Sequence, residues 1–88
     1  MKLKYSFVLQ EVEDGFVAVA AGQSAAGFQG LIRLNKTGAC LMEHLQNETT
    51  EDGLVEKLLD RFEVTENTAR EAVREFVRQL TEEDLLDI

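Results

Sequence analysis

Leu34-Asn35-Lys36-Thr37-Gly38-Ala39-Cys40 opens the stretch that decides the fold, and Phe76-Val77-Arg78-Gln79-Leu80 closes it. Between them the apolar residues fall into three separate runs with the spacing of helices that bury one face. The first spans about Lys36 to Gln46 and turns Ala39, Leu41, Met42 and Leu45 inward. The second spans about Glu51 to Phe62, with Leu54, Val55, Leu58, Leu59 and Phe62 on its stripe. The third spans about Glu66 to Thr81, and Ala69, Ala72, Val73, Phe76, Val77 and Leu80 give it the cleanest stripe. A residue able to cap a helix stands before each run: Asn35, then Thr49 or Thr50, then Thr65. Thr49 with Asp52 and Thr68 with Glu71 also have the spacing of capping boxes.

Upstream of this stretch the period changes. Lys4 to Val12 alternates, with Tyr5, Phe7 and Leu9 on one side and Ser6, Val8 and Gln10 on the other, which predicts a strand. Asp14-Gly15 signals a tight turn, and Phe16 to Ala21 reads as the returning strand. Gly22 to Gly27 reads as a loop, and Phe28 to Leu34 as a third strand interrupted by Gly30. That strand is expected at an edge, because the first two are joined as a hairpin and no fourth candidate exists. Downstream, Leu85, Leu86 and Ile88 form an apolar tail expected to fold back on the core. The chain therefore predicts an α+β fold with a winged helix-turn-helix-like layout, three N-terminal antiparallel strands followed by three α-helices. With 88 residues it has room for one domain, 1–88, and no linker or internal repeat is visible.

Composition narrows the function. The chain is 44% apolar and 30% charged, which fits a packed globular domain. No apolar run approaches the roughly 18 residues of a membrane span. Gln10 and Glu11 cut short the apolar stretch that follows the N-terminal lysines, so a secretory signal is not expected and the expected address is the cytoplasm. Nine Lys and Arg stand against seventeen Asp and Glu, for a net charge of −8. Duplex binding draws most of its affinity from phosphate neutralisation, so this charge argues against a nucleic-acid partner. A winged-helix nucleic-acid-binding domain, with the third helix in the major groove, is the alternative reading.

Catalytic chemistry finds little to work with. Cys40 and His44 are the sole cysteine and histidine, four residues apart on the first helix. Two ligands fall short of the four of a structural zinc site, so neither a metal nor another cofactor is expected. Cys40 reads as a small core residue and His44 as half exposed. The carboxylates are scattered, and no phosphate-binding glycine motif is present. No catalytic residue is assigned, and the chain reads as a non-enzyme. Arg70, Arg74 and Arg78 recur every four residues along the third helix. They read either as a solvated face, with Glu66 paired to Arg70 and Glu75 to Arg78, or as a cationic rail for an acidic partner.

The ordered set Leu34-Asn35-Lys36-Thr37-Gly38-Ala39, Thr50-Glu51-Asp52, Phe62-Glu63-Val64-Thr65, then Val73, Phe76-Val77 and Leu80 resembles the PqqD family. Members of that family share a Leu-Asn-x-Thr-Gly or Leu-Asn-x-Thr-Ala opening to the first helix. The resemblance covers about residues 28 to 86 and, more loosely, the hairpin before them. It implies a precursor-peptide recognition element of ribosomal peptide modification, named for pyrroloquinoline quinone biosynthesis. Such an element captures a leader peptide as an added strand against strand three, beside helix three. It then presents the peptide to a radical S-adenosylmethionine enzyme or another modifying enzyme. Carried over by position, the peptide-binding candidates are Gln29, Gly30, Leu31, Ile32 and Arg33 on the strand, with Arg70, Val73, Arg74 and Val77 on the helix. Asp84 departs from the pattern, since many relatives place a glycine before the final leucine pair.

Overall fold

A computed structural model describes residues 1–20 and 31–87. In chain order the elements are β1 (Lys2–Leu3), β2 (Phe7–Val12), β3 (Gly15–Ala20), β4 (Leu31–Leu34), α1 (Lys36–His44), α2 (Glu51–Arg61), α3 (Glu66–Glu82) and β5 (Leu86–Asp87). Strands β2, β3 and β4 form one antiparallel sheet in that order, and the three helices follow it. The α+β class and the order of sheet before helices agree with the sequence. The expected loop from Gly22 to Gly27, the first half of the third strand and Ile88 lie outside the described residues.

Two features depart from expectation. A second sheet pairs β1 with β5, matching Leu3 with Leu86 and Lys2 with Asp87. Two-residue strands are too short to show an alternation, so sequence periodicity is blind to them. The first long strand therefore begins at Phe7 rather than Lys4, whose amide donates instead to Leu85 O at 2.8 Å. The hairpin turn is also shifted by one residue: Val12 pairs with Gly15, leaving Glu13-Asp14 as the turn. Gly15 has φ 145°, and a Cβ there would lie 2.6 Å from Leu34 O. Only glycine lets the start of β3 approach the end of β4 so closely.

Each helix begins at a side-chain cap. Asn35 Oδ1 accepts from Gly38 N at 2.8 Å, Thr50 Oγ1 from Gly53 N at 3.0 Å, and Thr65 Oγ1 from Thr68 N at 3.2 Å. Thr50, not Thr49, caps α2, and Asp52 pairs with Arg70 instead of closing a capping box. The end of α3 is built differently. Leu85 N donates to Leu80 O at 2.9 Å and Asp84 N to Thr81 O at 3.0 Å, the two bonds of a Schellman cap. Its left-handed residue is Asp84, with φ 58°, where glycine is the usual occupant. Lys4 Nζ grips Asp84 Oδ1 at 2.6 Å, which ties the cap to the N-terminal segment and raises the lysine pKa.

One buried cluster joins these elements. Leu41 and Met42 from α1 and Leu45 at its C-cap meet Leu54 and Leu58 from α2, Val73 from α3, and Leu85 after it, each under 2% exposed. Burying a side chain of this size is worth about 1.5–3 kcal/mol, which makes these seven the principal anchors. Ala18, fully buried in the central strand, lacks the bulk that would hold α1 off the sheet. Leu59, placed on the inward stripe of α2 by sequence, is 39% exposed. Among the described residues no helix is long and apolar enough to cross a membrane.

Candidate functional site

β4 pairs with β3 along one side, and its other side has no strand partner among the described residues. Alternation sends Ile32 and Leu34 toward the core and leaves Leu31, 57% exposed, and Arg33 on the outer face. Cross-strand register places Val8, Val19 and Leu31 in one exposed apolar row across the sheet. An unpaired strand edge presents free amide and carbonyl groups, and this one ends the row at Leu31.

Two adjoining clefts lie between β4 and α3. One, of about 330 Å3, is walled by Leu34, Gly38 and Leu41 on one side and Ala72, Glu75, Phe76 and Gln79 on the other. The second, of about 540 Å3, is bordered by Leu31 to Leu34 and by Phe76, Gln79, Leu80, Glu82, Glu83 and Leu85. Arg33, Leu34, Phe76 and Gln79 border both, so the two form one groove divided at Phe76. Leu31 lies by the C-terminal end of α3, while Leu34 reaches its middle, so strand and helix run in opposite directions along the groove. Gly38 sets its floor: a Cβ there would lie 3.5 Å from the Phe76 ring and 3.3 Å from Leu34.

The electrostatics of the helix wall are largely settled within the chain. Arg78 holds Glu75 through two nitrogens and Glu82 at 2.7 Å. The Arg78 guanidinium keeps the Glu75 carboxyl below its ordinary pKa, and Glu75 in turn raises that of Arg78. Arg70 is bound to Asp52 at 2.9 Å and to Glu66 at 3.1 Å, and both raise its pKa, Asp52 the more strongly. Neither Arg33 nor Glu83 has an ion-pair partner among the described residues.

The candidate residues read from sequence divide between two places. Leu31, Ile32 and Arg33 border the groove. Gln29 and Gly30 lie outside the described residues. Arg70, Val73 and Arg74 instead line a separate depression of about 240 Å3 with Thr50, Glu51, Asp52 and Val55 at the start of α2. Val77 packs half-buried against the core. The three arginines therefore do not converge on the groove, and Arg70 and Arg78 are paired as a solvated face would pair them. None of the α3 residues that border the groove was among the candidates; they include Ala72, Phe76 and Gln79, with the C-cap Glu83 beside them. All four lie on one flank of the buried line through Val73 and Leu80, while Arg70 and Arg74 lie on the other. Helical phase counted from Val73 and Leu80 separates the two flanks; which flank meets the strand is a tertiary fact.

Other candidate chemistry is dispersed. Cys40 is buried on α1, where burial pushes its thiol pKa up while the Arg61 guanidinium pulls it down more weakly. His44 is half-buried, and its Nε2 has no hydrogen-bond partner among the described residues. Among the described residues no three His, Cys, Asp or Glu side chains are placed to share a metal ion.

The family model for coenzyme PQQ synthesis protein D (PqqD) matches residues 7–86. Among curated proteins, no sequence matches the chain. Two solved structures resemble its fold. One is TbiB1 in complex with the TbiA(beta) leader peptide, with a TM-score of 0.70 at 20% identity, covering 99% of this chain and 95% of that one. The other is lasso peptide synthetase B1 complexed with the leader peptide, with a TM-score of 0.65 at 20% identity, covering 96% and 93%.

Proposed function

The chain belongs to the PqqD family, and from that premise we propose that it is a non-catalytic peptide-binding chaperone. It captures the leader of a ribosomally made precursor as a strand added to β4 and presents it to a modifying enzyme in the cytoplasm. A radical S-adenosylmethionine enzyme is the class that the family's namesake suggests. Residues 1–88 act as one recognition domain, and the sheet set before three helices supports describing it as winged helix-turn-helix-like.

The observation that carries this reading is the edge of β4, without a strand partner among the described residues, beside a groove that α3 walls with both apolar and polar side chains. Strand addition supplies main-chain hydrogen bonds for affinity, and alternate side chains entering a groove supply specificity. Here the two clefts on either side of Phe76 are the sockets for those side chains. The four residues of β4 span about 13 Å at the ordinary strand rise, enough to hold a segment of similar length. Covering Leu31 also removes an exposed apolar residue from water. Both solved neighbours are complexes with a leader peptide, which supports the same ligand class here. A duplex partner is less well supported, because Arg70 and Arg78 already have acidic partners on the protein.

Ordering a flexible peptide opposes binding by several kcal/mol, so affinity is expected between micromolar and high nanomolar, about 7–9 kcal/mol. The test is an amide chemical-shift titration of labelled protein with the leader encoded beside its gene. Shifts are expected at Leu31–Leu34 and from Ala72 to Glu83. Shifts confined to α1 or to the β2–β3 hairpin refute strand addition even if the peptide binds tightly.

A further inference from the structure

We infer, building on the strand-addition reading above, that Gly38 and Ala72 determine which leader residue the smaller cleft accepts, and that this residue bears an aromatic ring. Gly38 forms the floor of that cleft and Ala72 part of its α3 wall. A ring seated there occupies space that longer side chains at these two positions would fill.

The two clefts differ in what bounds them. The larger is bordered by leucine, isoleucine and long polar or charged side chains, with no small residue among them. The smaller has both a glycine and an alanine in its lining. Ala72 is half-buried and stands one helical turn, about 5.4 Å, before Phe76 on the same face of α3. Beside the half-buried Phe76 ring there is therefore a gap in the helix wall. Gly38 is buried in the first turn of α1, where its amide donates to Asn35 Oδ1 and the floor is fixed. A Cβ on Gly38 would lie 3.0 Å from Asn35 Oδ1, 3.3 Å from a Leu34 methyl and 3.5 Å from the Phe76 ring. The first two approaches are tighter than side chains ordinarily make, so even a methyl group there displaces a wall of the cleft.

Size and shape, rather than charge, make the selection. An apolar cavity of about 150 Å3 holds a benzene ring, and this cleft measures about 330 Å3. A ring resting on Phe76 can adopt the offset or edge-to-face geometry that aromatic pairs prefer, with Leu34 and Leu41 completing the apolar contact. An alanine or valine at the same place leaves most of the cleft to water, and a leucine forgoes the ring contact. Two polar residues of the lining are already engaged, Glu75 by Arg78 and Asn35 by Gly38 and Thr37.

The experiment selects phage-displayed random decapeptides on the full chain and keeps those that shift the Leu34, Gly38 and Ala72 amides. The tightest is synthesised with each aromatic residue changed in turn to alanine. Calorimetry then compares these peptides on the wild type, Gly38→Ala and Ala72→Leu, each first checked by urea melt. One ring is expected whose change to alanine weakens wild-type binding about tenfold or more. Ala72→Leu is expected to weaken the ring-bearing peptide about tenfold while changing the alanine peptide by less than about twofold, and Gly38→Ala to act in the same sense by about threefold. A merely destabilised fold would weaken both peptides alike. The two substitutions lie on different helices, so if one prevents folding the other still decides. Groove binders without a ring, a ring whose removal changes nothing, or variants that weaken both peptides equally or neither, overturn this inference and leave strand addition intact. Peptides that map outside the groove, or a selection that yields none, overturn both.

Discussion

Replacing Asp84 by glycine should make the protein more stable. Asp84 ends α3 as the left-handed residue of a Schellman cap at φ 58°, a conformation that disfavours an L-residue by about 1–2 kcal/mol, somewhat less for aspartate. Glycine relieves this, and its greater freedom in the unfolded chain takes back about 0.5–1 kcal/mol. The lost ion pair to Lys4 is a small debit, because the Asp84 side chain is 85% exposed. Removing an anion from a helix C-terminus that carries Glu82 and Glu83 works in the opposite direction. The balance is a gain of about 0.5 kcal/mol, which in a domain of this size raises Tm by about 2–4 °C. Thermal and urea melts of the wild type, Asp84→Gly, Asp84→Ala and Lys4→Ala check it. Asp84→Ala keeps the backbone penalty and loses the ion pair, so it should fall below the wild type. If Asp84→Gly falls with it, the Lys4 contact outweighs the backbone term and the reasoning is refuted.

Three further outcomes are expected. Phe76→Ala should cost about 2–3 kcal/mol of stability and abolish leader binding, whereas Phe76→Leu should retain the fold and much of the affinity; urea melts and calorimetric titration separate the two effects. Arg74→Glu should change leader affinity by less than about twofold, because Arg74 lines the α2 side of α3, while Arg33→Glu should alter it measurably; equal losses would return the arginine repeat to the binding site. Cys40 should resist iodoacetamide until the fold opens. Its folded pKa lies above the ordinary 9.0, so the unfolded chain ionises first, and the thiol's contribution to stability is full below pH 9 and lost as pH rises through the folded value. Urea melts at pH 8 and pH 10 should therefore show a smaller loss in Cys40→Ala than in the wild type.

The helices were legible because their information is local. Asn35 and Thr65 announce caps, and the spacing of Leu41 to Leu45, Leu54 to Leu58 and Val73 to Leu80 marks each buried face. The hairpin was legible for the same reason, apart from the shift of its turn to Glu13-Asp14. Two things were not. β1 and β5 pair residues more than eighty positions apart through two-residue segments, which leave no period to read. On α3, Ala72 with Phe76 and Arg70 with Val77 are equally plausible half-buried flanks, and packing alone decides which one faces β4. The arginine repeat drew the helix half of the candidate site to the α2 flank. The strand half, Leu31 to Arg33, needed only the count of strands to be placed at an edge.

The β1–β5 ribbon also bears on when the protein becomes competent during its synthesis. Leu85 forms part of the groove wall and lies beside the strand that pairs with Lys2–Leu3, while Leu3 N is bonded to Leu45 O at the end of α1. Contacts between such distant residues form late, because the long loop they close must first be ordered. A chain cut before Leu85 lacks the part of the groove wall that this residue supplies.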